Sequence, residues 1–150
     1  MKKFEFTGET QMWCGYTLRR IRALVDIPTH CVKKGDLGGW IEKDENLSHD
    51  GNAWVSDNAR VYGNAQVSAN ARVYGNARVY GDAIVYNSAW VYGDAWAYGD
   101  AWVCGEALVC GNAVVCGNAV VCGNAVVCGN AVVCDAERIP ACFRNRQKTL

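Results

Sequence analysis

Gly63-Asn64-Ala65-Gln66-Val67-Ser68 and Gly129-Asn130-Ala131-Val132-Val133-Cys134 are two copies of one six-residue unit. From Gly51 to Cys134 the chain reads as fourteen such hexads with no insertion: Gly, Asn or Asp, Ala, a variable residue, Val, then Tyr or Cys. The third place is Ala in all fourteen, and the fifth is Val in all but one, which is Ala97. A repeat this regular outranks any single motif and is read first.

The hexad has a direct physical reading. Ala, variable residue, Val and Tyr or Cys alternate faces with period two, which makes a short strand. Gly and Asn, the residues that most easily take positive φ, make the turn that follows. Strand and corner alternate with no residues left for a helix, so the repeat predicts an all-β parallel β-helix. Three hexads close a triangular coil of 18 residues, and equivalent residues of successive coils then stack at about 4.8 Å. Ala and Val hardly vary, whereas the variable place holds Arg60, Gln66, Arg72 and Arg78. Charged side chains are almost never buried unpaired. Ala and Val therefore point in, and the variable residue and the Tyr or Cys point out.

Composition sets the outer bounds. The chain has 150 residues, with Lys plus Arg at 15 and Asp plus Glu at 15. A net charge of zero argues against a protein that grips a polyanion by bulk charge, so no nucleic acid is expected. No stretch reaches the roughly 18 apolar residues of a membrane span. The opening MKKFEFTGET has two lysines but no apolar run behind them. The expectation is a cytoplasmic protein of a bacterium or of a phage-carrying host.

Outside the regular repeats the pattern changes. Residues 3–6 and 16–25 alternate like strands, with Gly8 and Gly15 as turns, and predict a small N-terminal β-hairpin. Glu45-Asn46-Leu47-Ser48-His49-Asp50 fits the hexad register with Leu47 for Ala and His49 for Val. The expected organisation is a cap over 1–44, the β-helix over 45–134 and a C-terminal capping tail over 135–150. A cap is needed because a bare end exposes unpaired strand backbone.

The run Val61-Tyr62-Gly63-Asn64-Ala65 resembles the hexapeptide-repeat left-handed parallel β-helix family, whose repeat is aliphatic, turn residues, then small. The left-handed coil is implied by the resemblance; the general crossover rule gives the opposite hand. That family often has Gly directly after the aliphatic residue, where this chain has Tyr or Cys. The stretch Lys34-Gly35-Asp36-Leu37-Gly38-Gly39-Trp40-Ile41-Glu42, followed by Asn46-Leu47-Ser48, is similar to uncharacterised bacterial and phage repeat proteins described as transferase-like or polymer-forming. That resemblance implies no proven activity.

Candidate chemistry is sparse. Hexapeptide-repeat acyltransferases use a histidine as general base. The two histidines here are His30, in a loop before the coil, and His49, at an inward place of the imperfect hexad. Both read more simply as capping or turn residues. No inserted loop builds an acceptor pocket, so no catalytic residue and no cofactor is expected. Cys104 stacks on Cys122, Cys110 on Cys128 and Cys116 on Cys134, with Cys14, Cys31 and Cys142 isolated. The stacking permits disulfides or a soft metal. Reduced structural thiols are the favoured reading, and no metal site is expected. Asp82 and Asp100 share a corner and read as solvated.

The outward residues change along the axis. Trp90, Trp96 and Trp102 stand one on each face of a middle coil. Val114, Val120, Val126 and Val132 follow in the late hexads. A soluble monomer seldom exposes so much apolar surface. These seven residues are the expected interface, either with further copies of the chain in a homo-oligomer or with another protein. The reading is a non-enzymatic β-solenoid that is structural, self-assembling or partner-docking. The alternatives are an acyltransferase-like enzyme and a phage-encoded inhibitor of a host protein.

Overall fold

The computed structural model describes residues 2–134, together with the backbone of 138–139 and 144–145. Each hexad supplies one two-residue strand, formed by the variable residue and the residue after it, from Trp54–Val55 to Val132–Val133. Strands 18 residues apart pair in parallel, placing Arg60 beside Arg78, Trp96 beside Val114, and Val114 beside Val132. The result is an all-β parallel solenoid of about five turns and about 18 residues per turn.

The pairing sorts the outward residues into three faces. The first carries Trp40, Arg60, Arg78, Trp96, Val114 and Val132. The second carries Trp54, Arg72, Trp90, Leu108 and Val126. The third carries Gln66, Ile84, Trp102 and Val120.

The inward assignment holds throughout the repeats. Every Ala of the third place and every Val of the fifth is at most 1% exposed. Each Val so buried contributes about 1.5–3 kcal/mol, and each Ala leaves room for the Val of the facing wall. The corners are equally constrained. Gly105 lies at φ +66°, and a Cβ there would sit 2.6 Å from the Gly123 nitrogen. Successive corners thus approach too closely for most side chains. Asp57, Ala69 and Asn87 hold the glycine place at φ 56–58°.

The Tyr and Cys place is a correction. Its side chains do not stand free in solvent: Tyr62, Cys104 and Cys116 are buried, and the other tyrosines are half-buried. They lie along the solenoid's edges, where each covers its equivalent one coil away. Tyr62, Tyr80 and Tyr98 stack at 5.0 and 4.9 Å, and Tyr74 stacks on Tyr92 at 4.8 Å.

The N-terminal hairpin forms as expected, from β1 (Phe4–Trp13) and β2 (Tyr16–Ala23). Gly8, read as a turn, instead sits at φ +98° where the pairing register shifts between Phe6 and Thr10, inside a continuous β1. A third strand, β3 (Leu37–Ile41), pairs antiparallel with β2 on one side and parallel with Arg60–Val61 on the other. The hairpin is therefore continuous with the first face.

The first coil also departs from the sequence register. Ile41 pairs with Val61, and Leu47 bridges to Val67, so Leu47 holds the Val place rather than the Ala place. That coil is two residues longer than the rest. The extra length falls between Leu47 and Val55, which moves His49 off the inward row.

The strands at 138–139 and 144–145 pair in parallel with Val120–Val121 and Val126–Val127, again 18 residues apart. The remainder of the expected capping tail over 135–150 lies outside the described residues. Among the described residues no helix is long and apolar enough to cross a membrane.

Candidate functional site

The seven outward residues singled out from the sequence form three parallel columns. Trp96, Val114 and Val132 share the first face. Trp90 and Val126 flank Leu108 on the second. Trp102 and Val120 follow Ile84 on the third. The valines and Trp90 are half-buried, while Trp96 is 36% exposed and Trp102 45% exposed. Stacking of each side chain on its equivalent produces the partial cover. The third face carries no charge from Gln66 to Val120 and presents the most exposed ring of the repeats.

The cysteine ladder overturns the expectation of reduced thiols on two edges. Cys104 is bonded to Cys122 and Cys116 to Cys134, with Cα separations of 4.7 and 4.5 Å. The parallel stacking alone brings these pairs into disulfide range. Cys110 and Cys128, on the remaining edge, are thiols. Cys110 meets Tyr92, and that hydrogen bond, with burial behind it, raises the Tyr92 phenol above its ordinary value.

Both histidines are occupied in holding the cap. His49 Nδ1 accepts the Lys3 backbone N–H at 3.0 Å, and its Nε2 donates to Asp44 at 2.9 Å. Its ring stacks on Phe4 with centroids 4.1 Å apart. His30 donates through Nε2 to the Asn70 carbonyl at 3.1 Å, and burial lowers its pKa. His49 has both ring nitrogens engaged, whereas His30 Nδ1 is buried with no hydrogen-bond partner. Lys3 completes the closure. Its ammonium donates to the Ala53 carbonyl at 2.6 Å, and burial pulls its pKa down to about 8. Among the described residues no three His, Cys, Asp or Glu side chains gather into a metal-binding group. The Asp82 carboxylate accepts from Asn64, at 3.1 Å, as one rung of the corner ladder.

One feature was not legible in the repeats. The tip of the hairpin lies along the first face, where Trp13 donates through Nε1 to the Tyr62 hydroxyl at 3.3 Å. The Trp13 ring covers the guanidinium groups of Arg60 at 4.0 Å and Arg78 at 4.6 Å. Gln11 accepts from Arg60 Nε at 2.9 Å. Of this cluster, the column of Arg60, Arg78 and Trp96 follows from the 18-residue period, whereas the contacts of Trp13 and Gln11 do not.

Fold and surface together define a β-solenoid repeat protein. Residues 53–69, 65–80, 71–87 and 77–93 match the YdcK β-solenoid repeat. These matches fall in the early and middle coils and make the chain similar to that repeat family. No curated protein matches the chain.

Proposed function

We propose that this protein is a non-enzymatic solenoid that associates with copies of itself through the apolar columns of its middle and late coils. The observation that supports this reading is the stretch of the third face without charged outward residues, from Gln66 to Val120, where Ile84, Trp102 and Val120 stack in direct register ahead of Arg138. A second solenoid has the same axial repeat, so two such walls match rung for rung. Burial of apolar surface contributes about 25 cal/mol per Å². Closed symmetry is the default for equal subunits. The engagement of both ring nitrogens of His49, by Lys3 and Asp44, favours this reading over an acyltransferase that would use it as base.

The test is a charge placed in the column. Trp102→Lys with Val120→Lys should give a smaller particle by light scattering, with the β circular dichroism spectrum unchanged. Asn58→Lys, at an exposed corner of the early coils and outside the apolar columns, serves as the control for a non-specific effect of added charge. An unchanged particle in the double variant would overturn the third face as the contact.

A further inference from the structure

Arg78 stands where two grooves on the first face meet. One, of about 260 Å³, runs beneath the hairpin tip and is lined by Trp13, Tyr16, Tyr62, Tyr80 and Trp96 beside Arg78. The other, of about 370 Å³, continues along the face past Asp94, Asn112 and Val114. Arg78 and Trp96 belong to both. The first is strongly apolar, and its aromatic walls belong to three different parts of the chain.

The charge in this place is unbalanced. Arg60 and Arg78 are direct neighbours on adjacent coils, so two guanidinium groups lie side by side. The ion pairs formed among the described residues are Arg20–Glu9, Arg22–Glu5 and His49–Asp44, and neither Arg60 nor Arg78 takes part. Arg60 is held by Gln11 and Trp13. Arg78 is packed between the rings of Trp13 at 4.6 Å and Trp96 at 5.1 Å, while its Nε is buried with no hydrogen-bond partner. Both guanidinium groups meet the hairpin through the Trp13 ring, but only Arg60 also hydrogen-bonds to it, through Gln11. The rings stabilise the Arg78 cation, while its like-charged neighbour Arg60 and its unpartnered Nε leave it able to gain from an anion.

We infer that this groove binds a small organic anion with a flat aromatic body, its carboxylate on the Arg78 guanidinium and its ring among Trp13, Tyr80 and Trp96. A guanidinium fork suits a carboxylate, and charge-assisted pairs are the stronger hydrogen bonds. The apolar lining with one placed charge is the usual build of a small-molecule site. An inorganic anion would leave the aromatic walls unused. The site lies on the first face, so it stands whether or not the third face joins copies of the chain.

The experiment is calorimetric titration of the full chain with 2-naphthoate, neutral 2-naphthalenemethanol and inorganic phosphate. Saturable binding of 2-naphthoate is expected, with the alcohol and phosphate each at least tenfold weaker. Arg78→Met keeps the apolar stem and removes the charge. It should weaken 2-naphthoate at least tenfold while leaving the alcohol unchanged. Trp96→Leu, at an exposed position, is the second variant and should weaken both aromatic probes. Absence of saturable 2-naphthoate binding, phosphate binding as tight as 2-naphthoate, or an affinity untouched by either variant would overturn the inference.

Discussion

The early and late coils share one backbone and one interior, yet they are covered in opposite ways. Around Arg60, Arg72 and Arg78 the outward groups are cations laid against aromatic rings, and the edges are stacked tyrosines. Around Val114, Val126 and Val132 they are aliphatic, and two edges are closed by disulfides. The inside does not differ in this way: from Ala53 to Val133 its rows hold only Ala and Val. The outside is unconstrained by the fold, so the chemistry of the molecule is written there. The early half uses its surface to seat the hairpin. The late half keeps an apolar surface with no comparable segment of the described chain laid over it.

The largest effect separates the start of the solenoid from everything after it. Trp54 holds an outward place yet is only 1% exposed, because Gly38 leaves room for its ring. Trp54→Ala should cost about 3–5 kcal/mol in chemical denaturation. A near-neutral result would mean that the first coil is not sealed as described. Next comes the late half's own device. Each disulfide closes a loop of 18 residues, for which about 2–4 kcal/mol is typical. Reductant should speed hydrogen exchange in the late coils far more than in the tyrosine-edged coils. Equal acceleration in both halves would erase that contrast.

A smaller effect should be the same at both ends. Ala77→Leu and Ala113→Leu each overpack the prism and should cost about 1–3 kcal/mol. A marked difference between them would show that the interior is not uniform. Smaller again is the pH response of the cap. The folded chain releases the Lys3 proton at about 8, where an exposed lysine holds it to 10.5. Between those values the unfolded chain binds more protons, so stability rises with pH through the window. Burial of Tyr80 raises its pKa from 10.0 to about 12, which reverses the slope above 10. Denaturation between pH 8 and 10 should show the rise, and Lys3→Met should abolish it.

The repeats made much of this legible. Strict Ala and Val gave the interior, and a period of 18 gave the three faces, down to Val114 beside Val132 and one tryptophan per face. The rest carried no period. Trp13 reaches Tyr62 from 49 residues away in sequence, and nothing in the hairpin's alternation announces that contact. Gly39, Ile41 and Leu47 belong to a first coil too degenerate to show its two additional residues, so the hexad register alone points His49 inward, where the structure has Leu47 in the Val place. The cysteines were correctly stacked, but stacking alone does not decide oxidation. The surface columns were legible as residues, whereas the groove at Arg78 needed the hairpin tip to be put in place.

The proposed association through the apolar columns predicts an oligomer in solution. Sedimentation equilibrium of the wild-type protein at high micromolar concentration, with and without reductant, tests it most directly. The expected mass is two or more times 16.4 kDa in both conditions, since the proposed contact is apolar rather than a disulfide between chains. A single species at the monomer mass in both conditions would contradict it.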